Sequence, residues 1–232
     1  MNKQIVVLII LIVFCKRAYA QNDSNLILGI EEKSELSFQV YDSLIIKRDY
    51  VKLEEVKNDT PENLMKSILS ANSQEWIDYN TLGGSFKSTK RKEDYFVKIK
   101  QMNIDKNYIK LVHKISFFIN NRPTEIIKFY FKQENTKEVS GCYVLQKMDN
   151  RWYKASNSTT SNLSIIIMRL KTDVLTELFS GKASNVLTKE LYNEVSSNGY
   201  IDLSKLESTF FSWYSPIKKN EKLNLFIDSK TW

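Results

Sequence analysis

Between Asp105 and Ala155 the chain repeats one pattern: apolar side chains at every second position, in runs closed by turn residues. Ile109, Leu111, Ile115, Phe117 and Ile119 alternate with Lys110, Lys114 and Ser116, and Asn120-Asn121-Arg122-Pro123 closes that run. Ile127, Phe129 and Phe131 then alternate with Lys128 and Lys132, and Val139 to Met148 follows a turn at Glu134 to Lys137. Asp149-Asn150 offers a two-residue hairpin into Arg151–Ala155. Upstream, Tyr95, Val97 and Ile99 alternate with Lys98 and Lys100 and read as the first strand of the series. Side chains of a strand point to opposite faces in turn, so this pattern predicts an antiparallel meander with one buried and one wet face.

Helical signals flank the meander. Thr60-Pro61 is a capping residue followed by a proline suited to a first turn, and Leu64, Met65, Ile68 and Leu69 recur at helical spacing. A short second turn carries Trp76 and Tyr79 and ends at Gly83-Gly84. Residues 21–35 read as loose, and Leu36–Lys57 has no clear period. After the meander, Ile167, Leu170, Val174, Leu175 and Leu178 share one helical face up to Gly181, and Leu187, Leu191 and Val195 share another. Ser204 and Glu207 have capping-box spacing ahead of Leu206, Phe210 and Trp213, and Leu223–Ile227 reads as a short edge strand. The expected class is α+β: a curved antiparallel β-meander packed against an N-terminal helix, followed by a helical C-terminal segment. The expected divisions are a signal at 1–20, a sheet domain at 21–156 and a helical extension at 157–232.

The last hairpin, Tyr143-Val-Leu-Gln-Lys-Met-Asp-Asn-Arg-Trp152-Tyr-Lys, resembles the closing hairpin of the nuclear transport factor two-like (cystatin-like roll) superfamily. The resemblance covers about residues 36–156 and rests on that hairpin and on the order of elements. It implies a cone-shaped cavity between helix and curved sheet. Some members are enzymes and many are non-catalytic binding or accessory domains, so fold analogy leaves function open.

The N-terminus points out of the cytoplasm. A short start bearing Lys3 leads into an unbroken apolar run, Ile5–Cys15, and then Ala18-Tyr19-Ala20. This is the plan of a secretory signal cut after Ala20, and the run is shorter than the about twenty apolar residues that span a bilayer. Lys16 and Arg17 stand between the apolar run and the cut, where charge is usually avoided, and Cys15 raises a lipid-attachment reading in which Phe14 is too bulky for the usual box. After the cut no membrane span is expected, Cys142 is the only cysteine, and stability must come from burial rather than a disulfide. Losing Lys3, Lys16 and Arg17 takes the formal net charge from +7 to +4. Lysines and acids alternate along the remainder, which reads as a solvated surface. The densest basic stretch, Lys87 to Lys92, reads either as a solvated loop or as an anion-binding patch, and nucleic acid is not the expected partner. Asn-x-Ser/Thr at Asn22, Asn58, Asn157 and Asn162 is read as chance in an Asn-rich chain.

No phosphate loop, Cys-x-x-Cys, His-Glu-x-x-His or Gly-x-Ser-x-Gly is present, and no cofactor or metal is expected. His113 is the only histidine. It falls in register with Leu111, Ile115 and Phe117, so it is a core histidine or, if the sheet curls round a cavity, an acid–base group partnered by Asp78, Tyr79 or Glu75. Trp76, His113, Phe117, Phe129, Tyr143 and Trp152 are the candidate ligand-binding residues, with core filling as their alternative role. The leading expectation is an exported, periplasmic or secreted protein that binds a small apolar ligand or an exported protein partner. The second is a small cavity enzyme, a hydrolase or isomerase, using His113.

Overall fold

The meander reverses on asparagines. In the computed structural model, which describes residues 26–28, 34–85, 90–156, 158–197, 200–215 and 220–227, Asn120 and Asn121 have φ of 50° and 59°, and Asp149 and Asn150 have φ of 49° and 62°. Two consecutive positive φ values make the tight turn whose twist matches paired strands, and Asn and Asp tolerate that region best after glycine. The first turn joins β4 (Tyr108–Ile119) to β5 (Arg122–Lys132), and the second joins β6 (Val139–Met148) to β7 (Arg151–Ala155). With β1 (Leu26–Leu28), β2 (Ser34–Val40) and β3 (Ile45–Ile46), the described residues form a seven-stranded antiparallel sheet. Its order is β1-β2-β4-β5-β6-β7, with β3 also on β4. Strand pairing thus begins within the stretch expected to be loose: β1 pairs with β2, and β2 with β4.

The fold is α+β, and helices cover both sheet faces. On one side lie α1 (Pro61–Ser70) and α2 (Gln74–Asn80). Thr60 caps α1 by accepting from the Asn63 amide at 3.1 Å, and Ser73 caps α2 by accepting from Trp76. Leu64 and Met65 pack on Ile109, Leu111, Ile127, Phe129, Leu145 and Trp152. On the other side lie α4 (Ser158–Arg169), α5 (Thr172–Ser180), α6 (Val186–Val195) and α7 (Leu203–Trp213), sharing a core with Phe38, Ile115, Phe117, Ile119 and Ile126. The expected wet face is therefore absent across β5: Lys128 is 0% exposed.

Leu111 and Ile115 belong to different cores because β4 changes faces midway. Leu111 pairs with Phe129 but His113 with Lys128, so Val112 is an inserted residue. Such a bulge adds one residue to one strand and inverts the in–out sequence beyond it. Another departure is α3 (Glu93–Gln101), a helix where alternation predicted a strand. There Phe96 is the buried residue, while Tyr95 and Val97 are exposed. Glu93 and Asp94 lie in its first turn and Lys98 and Lys100 in its last, complementing the helix dipole. The cap of α7 is Asp202, which accepts from the Lys205 amide, two residues before Ser204. Glu221–Leu225 forms a 3-10 turn rather than a strand, and Phe226 bridges to Leu170. Residues 1–20, with Cys15, and 87–89 of the Lys87–Lys92 stretch lie outside the described residues. Among the described residues no helix is long and apolar enough to cross a membrane.

Candidate functional site

Beside β7 the chain after α2 is sewn to the sheet. Thr81 bridges to Lys154 in parallel, and the Leu82 amide donates to the Lys154 carbonyl at 2.9 Å. Gly83 and Gly84 follow, both with φ of 74°, a region where a side chain would be strained. Two contacts then tie the loop back to α2. The Ser85 amide donates to Asp78 at 3.2 Å, and the Arg91 amide donates to Gln74 Oε1 at 2.9 Å while the Gln74 amide group donates to Asp78 at 2.7 Å. The Asp78 carboxyl is lowered from its ordinary range chiefly by its hydrogen bond with the Ser85 side chain. Arg91 is thereby held at the start of α3, above the β6–β7 hairpin.

These segments enclose a cavity of about 430 Å³. Ile68 of α1, Ala71 just after it, Ile77 of α2 and Leu82 form its apolar wall, and Tyr95, Tyr143, Asn80, Arg91 and Lys154 its polar wall. Its size is that of an ordinary small-molecule site. Lys154 Nζ lies 4.3 Å from the centroid of the Tyr143 ring, and the Arg91 guanidinium carbon lies 5.3 Å from that of Tyr95. Burial, reinforced by the Arg91 charge, lowers the Lys154 pKa, and burial raises that of Tyr143. Phe129 packs behind Tyr143 with ring centroids 4.8 Å apart and orients it.

Asn80 belongs to a network whose directions can be read off. The Trp76 indole N–H only donates, so the Ser67 hydroxyl accepts from it at 2.8 Å and gives its own proton to Asn80 Oδ1 at 2.8 Å. Asn58 Nδ2 donates to the same oxygen at 2.9 Å. Asn80 Nδ2 and Asn58 Oδ1 are both left buried without a hydrogen-bond partner among the described residues. Asn58 itself is 2% exposed, so the acceptor asparagine of this glycosylation-like triplet is buried.

Of the candidates read from the sequence, Tyr143 alone lines the cavity. Phe129 lies behind it, and Trp76 and Trp152 are buried in the layers that support it. Phe117 and His113 lie on the opposite face, under the C-terminal helices. His113 Nε2 meets Thr176 Oγ1 at 3.0 Å, and that hydroxyl donates to the Thr172 carbonyl at 2.9 Å. The threonine proton is thus committed, which makes Nε2–H the donor to Thr176 and leaves Nδ1 buried and bare. Burial, then the adjacent Lys128, push the His113 pKa down to about 3. Asp78, Tyr79 and Glu75 are on α2 beside the β7 edge, with β5 and β6 between them and His113. The Tyr79 ring is instead covered by Arg151, whose guanidinium carbon is 3.2 Å from its centroid.

Two further buried groups depart from their usual titration. Lys128 is lowered to about 7 by burial, and its ammonium donates to the carbonyls of Ile167 and Leu170 at the end of α4. Glu125 is raised to about 7, also by burial, and accepts from Ser116 at 3.3 Å. Neither lines the cavity. Among the described residues no cluster of three or more His, Cys, Asp or Glu could hold a metal ion. Arg91, Lys154 and Asn80 were not legible as a site, because each is an ordinary polar residue until the loop and hairpin meet. The one available signal was the basic stretch that contains Arg91. Comparison with protein-family models, with curated proteins and with solved structures found no match to this chain.

Proposed function

We propose that this chain is an exported protein that works by binding a small molecule in the cavity between α1, α2 and the β6–β7 hairpin. The observation that carries the reading is the cavity itself: a half-open cleft of about 430 Å³ with one apolar wall and one polar wall. The signal-like N-terminus supports export. The superfamily resemblance supports a ligand between helix and sheet. His113 enters no step, since it is committed to Thr176 and does not line the cavity.

The test compares the purified protein with a Leu82→Trp variant, whose indole would occupy the cavity from a half-buried wall position. After exposure to cell extract, native mass spectrometry should show a small-molecule adduct on the parent protein and none on the variant. An adduct that persists unchanged on Leu82→Trp would refute binding at this cavity. Mass analysis of the exported protein should give an N-terminus at Gln21, and an intact Met1 in the exported fraction would refute cleavage.

A further inference from the structure

Resting on that reading, we infer that the cavity selects an organic anion: a small molecule with an apolar body and one acidic group, held between Arg91 and Lys154. Two cationic side chains border this space, and among the described residues no carboxylate lines it. Lys154 and Arg91 carry like charges into one chamber, and among the described residues neither forms a salt bridge. Each instead rests over a tyrosine ring. A ring face attracts a cation only weakly, less than a hydrogen-bonded anion offers the partly desolvated Lys154 ammonium.

One negatively charged group would meet both cations. A bare inorganic anion would leave Ile68, Ile77 and Leu82 facing water, so the ligand must also bring apolar surface.

Two dyes with one aromatic body separate the parts of this inference. 1-Anilinonaphthalene-8-sulfonate carries the acidic group, and N-phenyl-1-naphthylamine lacks it. The purified protein should bind the sulfonate at one site per chain, at least about tenfold tighter than the neutral dye. Lys154→Met and Arg91→Gln should each erase most of that preference, read as the ratio of the two dyes' affinities, and Leu82→Trp should abolish both. Equal or tighter binding of the neutral dye, blocked by Leu82→Trp, would overturn the anion inference and leave the cavity reading standing. Binding of neither dye, or binding indifferent to Leu82→Trp, would overturn the cavity reading itself. Displacement of the sulfonate dye by millimolar inorganic sulfate would refute the requirement for an apolar body.

Discussion

Lys128 and Lys154 project from β5 and β7 of one sheet toward opposite layers, and they solve the problem of a buried cation differently. Lys128 is sealed beneath the C-terminal helices and donates to the Ile167 and Leu170 carbonyls. Those carbonyls belong to the end of α4, where backbone acceptors lack helical partners and the dipole favours positive charge. Lys128 is thus a helix cap supplied by a strand. Lys154 has a tyrosine ring under it and a cavity in front of it. A cation that donates to buried carbonyls holds the fold together, whereas one that faces a cavity is available to a ligand.

The largest effect should come from acid. The folded chain keeps His113 neutral down to about pH 3, while the unfolded chain protonates it near its ordinary 6.5. Unfolding therefore takes up a proton between those values. The contribution is complete above pH 6.5 and is lost as pH falls through the window. Urea unfolding of the parent and of His113→Leu should give slopes of stability against pH that differ by about 1.4 kcal/mol per unit there. Parallel slopes would mean that the face is not sealed.

Next comes Lys128→Met, which keeps the length of the side chain but leaves two buried carbonyls unpaired. It should cost about 3 kcal/mol in the same assay. A variant as stable as the parent would remove the capping role.

Gly141→Ala probes the support behind the cavity. An added methyl would sit 2.4 Å from Phe129 Cε2, forcing the ring that orients Tyr143 to move. A loss of about 2 kcal/mol is expected, together with weakened dye binding. Unchanged binding would show that Phe129 does not position the site.

The smallest effect belongs to Lys154→Met, at most about 0.5 kcal/mol on stability while the anion preference disappears. A loss matching that of Lys128→Met would erase the distinction between the two lysines.

What the sequence determined by itself was local. Alternation with asparagine turns specified the hairpins, because period two and positive φ are properties of a few adjacent residues. Thr60, Pro61 and the spacing of Leu64 and Met65 specified α1 for the same reason. Local pattern failed where two periods fit one stretch: Tyr95, Val97 and Ile99 match a strand, yet burying Phe96 and matching charges to the dipole favour a helix. It also failed at Val112, where one inserted residue swaps the faces of β4 and sends Leu111 and Ile115 into separate cores. Only the tertiary structure decided which sheet face was covered, because alternation distinguishes two faces without saying what lies against either. The cavity was decided there too. Arg91 and Lys154 come from two segments, and that neither meets a carboxylate among the described residues becomes visible only when the chain has placed its acidic groups.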